Sequence, residues 1–269
     1  MTFDPHHSEL TTSPPPYIQA ERAGHVMIIR LNRPAARNAL TADMLATLLT
    51  CISQSESDSS ISGLVLTGNG SAFCAGDDLY DAARGSAAEF EQTIARFQML
   101  SSALLDSRLV SIAAINGPAI GGGFELTLAC DLRICSDQAT FACPEARWGL
   151  LATNAASVLL PAVIGRGRAL EMALTGRVYD ASWAQSVGLV SEIVDARSLV
   201  GVATDLVSAV SASAESARLT RAMFAEGVAD AVEGALRRES AAVSAAFQTE
   251  FAQRQLLPFK SDRSRKVLR

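Results

Sequence analysis

The chain lacks the residues that build metal centres and disulfide frameworks. Its three histidines, His6, His7 and His25, all lie near the N-terminus, and there is no Cys-x-x-Cys pair. No set of ligands at metal-binding spacing remains. Five cysteines, Cys51, Cys74, Cys130, Cys135 and Cys143, are odd in number and form no paired framework. They fit reduced thiols in a cytoplasm. No apolar run is long enough to span a bilayer. The N-terminus shows no cationic stretch leading into an apolar one, so no signal peptide is expected. Excess positive charge is also missing: a net charge of −5 argues against a general nucleic-acid binder. These absences predict a cytoplasmic protein with no membrane or nucleic-acid partner and no metal.

What is present is apolar material in alternating patterns. The 269 residues suffice for one large domain or two small ones, and 49% are hydrophobic, enough for a substantial core. Residues 1–17 read as a flexible arm closed by Ser13-Pro14-Pro15-Pro16. Residues 18–32 read as a strand centred on Val26-Met27-Ile28-Ile29. Thr41 is placed to cap a helix whose apolar positions are Met44, Leu45, Leu48, Leu49 and Ile52. A buried strand over 63–67 follows, and residues 104–115 end in another that runs into Asn116-Gly117-Pro118. After Gly121-Gly122-Gly123, residues 124–130 read as a helix and 132–135 as a short strand. Beyond about residue 155 the chain is mostly helical. Val232, Leu236, Val243, Phe247 and Phe251 form one stripe on a long helix, with Arg237, Arg238 and Glu239 off it. The pattern predicts an α/β core over 18–200 and a helical C-terminal region over 201–269.

Two small-residue segments stand out. Ser71-Ala72-Phe73-Cys74-Ala75-Gly76-Asp77-Asp78-Leu79 follows a buried strand, and its small residues let another backbone or a flat ligand come close. Gly121-Gly122-Gly123 opens a helix, where several N–H groups are uncovered and the helix end adds partial positive charge. One N–H from each segment could bracket a carbonyl oxygen that becomes an oxyanion. Taken singly, each segment is equally a tight strand–helix turn. A phosphate cradle is disfavoured, because no Gly-Lys-Ser/Thr follows and the Gly-x-Gly-x-x-Gly spacing is absent. Glu125 lies in the first turn of the glycine-opened helix, and Glu145 follows Pro144 between apolar stretches. A carboxyl among apolar neighbours has its ionised form disfavoured, which suits proton transfer near neutral pH. By themselves, Glu125 also reads as a helix-dipole partner and Glu145 as a solvated loop acid.

Several blocks together settle the reading. They are Leu31-Asn32-Arg33-Pro34 with Arg37-Asn38-Ala39-Leu40, then Phe73 to Leu79, then Ile115-Asn116-Gly117 with Gly121 to Glu125, then Phe141 to Glu145. Leu174-Thr175-Gly176 and Gly188-Leu189-Val190 also fit. In order and spacing the chain resembles the enoyl-CoA hydratase/isomerase (crotonase) family over roughly residues 18–250. The resemblance implies a crotonase-like spiral of repeated ββα units, with the helical C-terminal region used in trimerisation. It implies an acyl-CoA thioester substrate, coenzyme A present only as part of it, and no other cofactor. It places the oxyanion-hole N–H groups at Asp77 and Gly122, and the coenzyme A channel at Ala75, Asp78 and Leu79. Glu145 would then move a proton at the α-carbon, and Glu125 would orient and activate water for the β-carbon. The implied assembly is a homotrimer or a dimer of trimers.

Three departures from the family pattern accompany the match. Hydratases usually carry Pro-Gly and Gly-Gly-Thr after the second glutamate, where this chain has Gly149-Leu150-Leu151-Ala152-Thr153-Asn154-Ala155-Ala156-Ser157. Asp77 stands where a small apolar residue is usual. Ala36 stands where a basic residue is common. A basic tail, Arg254, Lys260, Arg263, Arg265, Lys266 and Arg269 against Asp262, offers Lys260 and its neighbours to coenzyme A phosphates, or is a solvated end. The leading expectation is an enoyl-CoA hydratase. The alternatives are an enoyl-CoA isomerase, a hydrolase or C–C lyase on a branched or cyclic acyl-CoA, and a non-catalytic acyl-CoA binder.

Overall fold

The computed structural model describes residues 16–211 and 213–261. The expected strand over 18–32 is an antiparallel hairpin of β1 (Ile18–Ala23) and β2 (Val26–Leu31). Gly24, at φ +62°, and His25 make the turn, in a conformation that glycine adopts without steric cost. α1 (Ala42–Ser57) begins at Thr41, whose hydroxyl accepts the Met44 N–H at 3.3 Å. β3 (Gly63–Gly68) is buried throughout.

The sequence reading passed over the next two helices, α2 (Leu79–Arg84) and α3 (Ala87–Leu105). A Ser86/Glu89 capping box opens α3, and Phe90, Ile94, Phe97, Leu100 and Leu104 form its buried stripe. Leu104 is therefore helical, and β4 spans only Val110–Ile115. There follow β5 (Ala119–Ile120), α4 (Gly122–Leu128), β6 (Leu132–Ser136), β7 (Thr140–Ala142) and a 3₁₀ turn at Glu145–Trp148. Next come α5 (Ala156–Ile164), α6 (Arg166–Thr175), β8 (Tyr179–Asp180), α7 (Ala181–Ser186) and β9 (Glu192–Val194). The chain closes with α8 (Leu199–Ser211), α9 (Ala214–Glu226), α10 (Ala229–Phe247) and α11 (Glu250–Ser261).

The large sheet runs β1-β2-β3-β4-β6-β9, parallel from β2 onward, and a small sheet runs β5-β7-β8. The chain places one strand in each sheet and then turns into a helix: β4, β5, α4, then β6, β7, α5. This is the ββα repetition that the resemblance implies. Both faces of the large sheet are covered, so its parallel strands carry continuous apolar runs. Within β2 the side chains alternate, Ile29 and Leu31 facing the core shared with α1 and α3, Val26 and Ile28 facing the one sealed by α8. α8 crosses the 200/201 division and packs so closely that a Cβ on Gly63 would lie 2.2 Å from Val207.

The expected long C-terminal helix is two. α10 stops at Phe247, and Phe251 lies on α11, about half exposed. Glu239 sits on the buried face of α10 rather than off it. α11 folds back over α2 and the 3₁₀ turn, where Phe259 meets Tyr80 and Trp148 edge-on at 5.2 and 5.4 Å.

Candidate active site

Three segments converge at the start of α4. The first, residues 72–78, is held by Asn38, which is fully buried at φ +58°. Its amide donates to the carbonyls of Asn69, Ala72 and Phe73 at 2.8–3.1 Å and accepts the Arg33 N–H at 2.8 Å. Single bridges then tie Leu40 to Asp77 and Cys74 to Ala119. Gly76, at φ +88°, lies where this segment crosses the second: a Cβ there would be 2.8 Å from the Ile120 carbonyl and 3.2 Å from the Gly122 nitrogen. Gly123 abuts Cys74 in the same way, its Cβ position 2.7 Å from Sγ. This crossing sets Gly76, the residue before Asp77, against the Gly122 nitrogen, so the N–H groups of Asp77 and Gly122 belong to one crossing. Among the described residues neither N–H has a protein acceptor. Such a pair of uncovered donors is the requirement for holding a developing oxyanion.

The carboxyl groups surround that pair. Glu145 reaches in from the third segment, its Oε1 only 2.7 Å from where a Cβ on Gly121 would stand. Glu125, one turn into α4, is buried at 1% exposure. Burial, and then the charge of Glu145, push the Glu125 carboxyl well above the ordinary carboxylate range. Burial likewise raises Glu145 to about 7, with the Asp77 charge adding to it and its own backbone N–H opposing. Two like charges in one buried site cannot both ionise, so the pair retains a proton near neutral pH. Among the described residues, four buried side-chain polar atoms lack a partner, and three belong here: Asp77 Oδ1, Glu145 Oε2 and Asn154 Oδ1. Native proteins satisfy nearly all buried polar atoms. A cluster of unsatisfied acceptors therefore marks a place where a ligand belongs. The thiols of Cys74 and Cys143 beside it are inert, since burial pushes the first up to about 12 and the second well above its usual range.

The other predicted residues are placed unevenly. Ala75 lies in the crossing segment, its N–H bonded to the Arg37 carbonyl at 3.0 Å. The Asp78 carboxyl caps α2 through the Tyr80 N–H and pairs with Arg33 at 2.6 Å. Leu79 packs with the α2–α3–α11 core. Lys260, on α11, donates to Gln253 at 3.0 Å. Arg263, Arg265, Lys266 and Arg269 lie outside the described residues, as does most of the expected arm.

The chain matches the enoyl-CoA hydratase/isomerase family over residues 21–265. The chain belongs to that family. Enoyl-CoA hydratase EchA19 of Mycobacterium tuberculosis is 35% identical over 196 residues, covering 72% of this chain and 74% of that protein. The 4-chlorobenzoyl coenzyme A dehalogenase-2 of an Arthrobacter species is 36% identical over 201 residues, covering 72% and 73%. Among solved structures, enoyl-CoA hydratase from Bacillus halodurans superposes with a TM-score of 0.84 at 26% identity, over 90% of this chain and 100% of that one. Pseudomonas aeruginosa DspI gives 0.74 at 34% identity over 94% and 100%. The fold is accordingly the crotonase fold with a helical C-terminal region, and the chain is an enzyme of that superfamily. Among the described residues, no helix is long and apolar enough to cross a membrane.

Against this family background the segment after Glu145 is informative. Asn154 and Ala155 take φ of +60° and +62°, the left-handed backbone that glycine favours. The chain keeps a glycine-like turn without glycine, at a cost of about 1 kcal/mol for Ala155. Polar contacts hold it there. Thr153 N–H donates to Glu125 Oε1 at 2.8 Å, while Thr153 Oγ1 and Asn154 Nδ2 reach Oε2 at 3.1 and 2.6 Å. Glu239 comes across from α10 and accepts the N–H groups of Ala155 and Ser157 at 2.8 and 2.9 Å, at the start of α5. The sequence reading marked Thr153 and Asn154 only as part of a departing segment and set Glu239 off the helix stripe, and gave none of the three a role at the site. The available signal was a polar pair inside an apolar run. Replacing Glu239 by alanine leaves the buried N–H of Ala155 and the part-buried N–H of Ser157 without their acceptor and should cost about 1–3 kcal/mol of stability in urea unfolding. Glu239→Gln, which keeps one acceptor, should lose less; equal losses would contradict the clamp.

Proposed function

We propose that this enzyme adds water across the double bond of a 2-enoyl-CoA. The observation that supports the reading is a pair of uncovered backbone N–H groups, at Asp77 and Gly122, on one crossing beside two carboxyls whose burial raises them above the ordinary range. The thioester oxygen lies on the two N–H groups and gains their stabilisation most as it becomes an enolate. A carboxylate offers about four lone-pair sites. Glu125 uses three on Thr153 and Asn154, leaving one on Oε1 for a water. Burial raises both carboxyls, but those donors favour the ionised form of Glu125 and Glu145 Oε2 has none, so the hydratase reading assigns the proton for the α-carbon to Glu145. Glu125 then takes a proton from water as the oxygen attacks the β-carbon, and Glu145 delivers its proton to the α-carbon. In this reading coenzyme A enters only as part of the substrate, and no metal or redox group takes part. Incubation with crotonyl-CoA should remove the enoyl absorbance and yield a product heavier by one water.

A second reading, enoyl-CoA isomerisation, draws on one contrast. Glu145 Oε2 has no partner, whereas Glu125 is tied by three bonds, as suits a site with a single proton carrier. That reading predicts a product of unchanged mass.

Assembly as a homotrimer or a dimer of trimers is part of the proposal. Met223 and Phe224 on α9 are 73% and 77% exposed, apolar surface of the kind that a neighbouring subunit covers. Light scattering at micromolar concentration should give a trimeric or hexameric mass, and a monomeric mass would refute it.

A further inference from the structure

The hydratase reading uses the backbone of Asp77 and leaves its side chain without a role. That carboxyl lies over Gly122, where a Cβ would stand 3.6 Å from Asp77 Oδ2 and 3.0 Å from the Phe97 ring. Asp77 Oδ1 is buried and without a partner. Among the described residues no cation pairs with it, and Arg33 is taken by Asp78 at 2.6 Å. Burial and the neighbouring Asp78 push the Asp77 carboxyl up to about 7, consistent with an acid that lacks a donor. An unsatisfied buried acceptor is costly. It is retained where a bound molecule supplies the missing donor.

The position limits which donor. Glu125 and Glu145 are assigned to the β- and α-carbons. With the N–H of Asp77 on the thioester oxygen, its carboxyl lies between Gly122 and the Phe97 ring, on the side of the site where the hydratase reading runs the acyl chain past Glu125 and Glu145. A plain hydrocarbon there would leave Oδ1 buried and unpaired. We propose that Asp77 is a specificity-determining residue whose carboxyl accepts a hydrogen bond from a hydroxyl on the acyl chain, just beyond the reacting carbons. The preferred substrate class is then an enoyl-CoA hydroxylated at the γ- or δ-carbon. The inference rests on the hydratase reading for where the acyl chain lies.

Two thioesters of matched shape test it: trans-4-hydroxycrotonyl-CoA and trans-2-pentenoyl-CoA, in which a methyl replaces the hydroxyl. The wild-type enzyme should favour the hydroxylated one by about 10- to 100-fold in kcat/KM, the worth of a hydrogen bond to a charged group. Asp77→Ala should bring the ratio to unity or reverse it, while Asp77→Asn, which keeps an acceptor oxygen and the backbone N–H, should retain part of it. A wild-type ratio near unity, or a ratio unchanged in Asp77→Ala, overturns the proposal. Should the wild-type enzyme hydrate neither thioester, the reaction reading fails by itself. The same ratio is then read as Kd by calorimetry, and it decides the role of Asp77 separately.

Discussion

Glu125→Gln and Glu145→Gln should each lower turnover of the enoyl-CoA by at least about 100-fold, the range of a positioned general acid or base. The two losses have different origins. Glu125→Gln keeps the size of the side chain, and its one oxygen can still accept the Thr153 N–H while a turned Asn154 offers its oxygen to the amide, but an amide cannot take a proton from water. Glu145→Gln leaves nothing to protonate the α-carbon. The double variant should be little worse than either single one, because groups that act as a unit are strongly non-additive. An isomerase predicts another pattern, with Glu145→Gln inactive and Glu125→Gln nearly normal. The pH profile adds a check. Burial and the Asp77 charge raise Glu145 to about 7, and its protonated form is the active one. The wild-type kcat/KM should therefore fall as pH rises through about 7. A profile that rises there would contradict the assignment of the proton to Glu145.

Gly122→Pro should cost about 100- to 1,000-fold in turnover, the typical loss of one oxyanion-hole donor. Gly122 is the first residue of α4, and proline is tolerated at that position because its missing N–H has no intrahelical acceptor. The variant removes the proposed donor but sets its ring against Phe97, where a Cβ would stand 3.0 Å away, so a melting temperature close to wild type is required to verify that the fold survives. A folded variant with full turnover would mean that the thioester oxygen rests elsewhere.

Much of this site could be read from the chain because its parts are local. Gly121-Gly122-Gly123 with Glu125 is one helix start, and the run from Phe73 to Leu79 is one crossing segment. Both carry their geometry in small residues and φ > 0, which sequence displays. The Asp78 carboxyl is paired with Arg33, a partner 45 positions away, and no local pattern announces such a pair. Glu239 was assigned to the solvent side because charged residues are rarely buried unless paired. Its partners are two backbone N–H groups more than 80 residues earlier, at a turn whose left-handed backbone is unmarked by glycine. The hairpin at Gly24 was missed for a simpler reason: apolar residues on both sides of a two-residue turn read as one continuous strand. In each case the missing information was tertiary, a contact between distant residues that replaces the usual local signature.

The central claim is that the oxygen of water becomes bonded to the β-carbon of a thioester held at Asp77, Gly122, Glu125 and Glu145. The most direct measurement is mass spectrometry of crotonyl-CoA incubated with the enzyme in water enriched in heavy oxygen. The product should gain one heavy-oxygen water with the wild-type enzyme, and none within the same time with Glu125→Gln. A product of unchanged mass, or equal incorporation by the wild-type enzyme and Glu125→Gln, would contradict it.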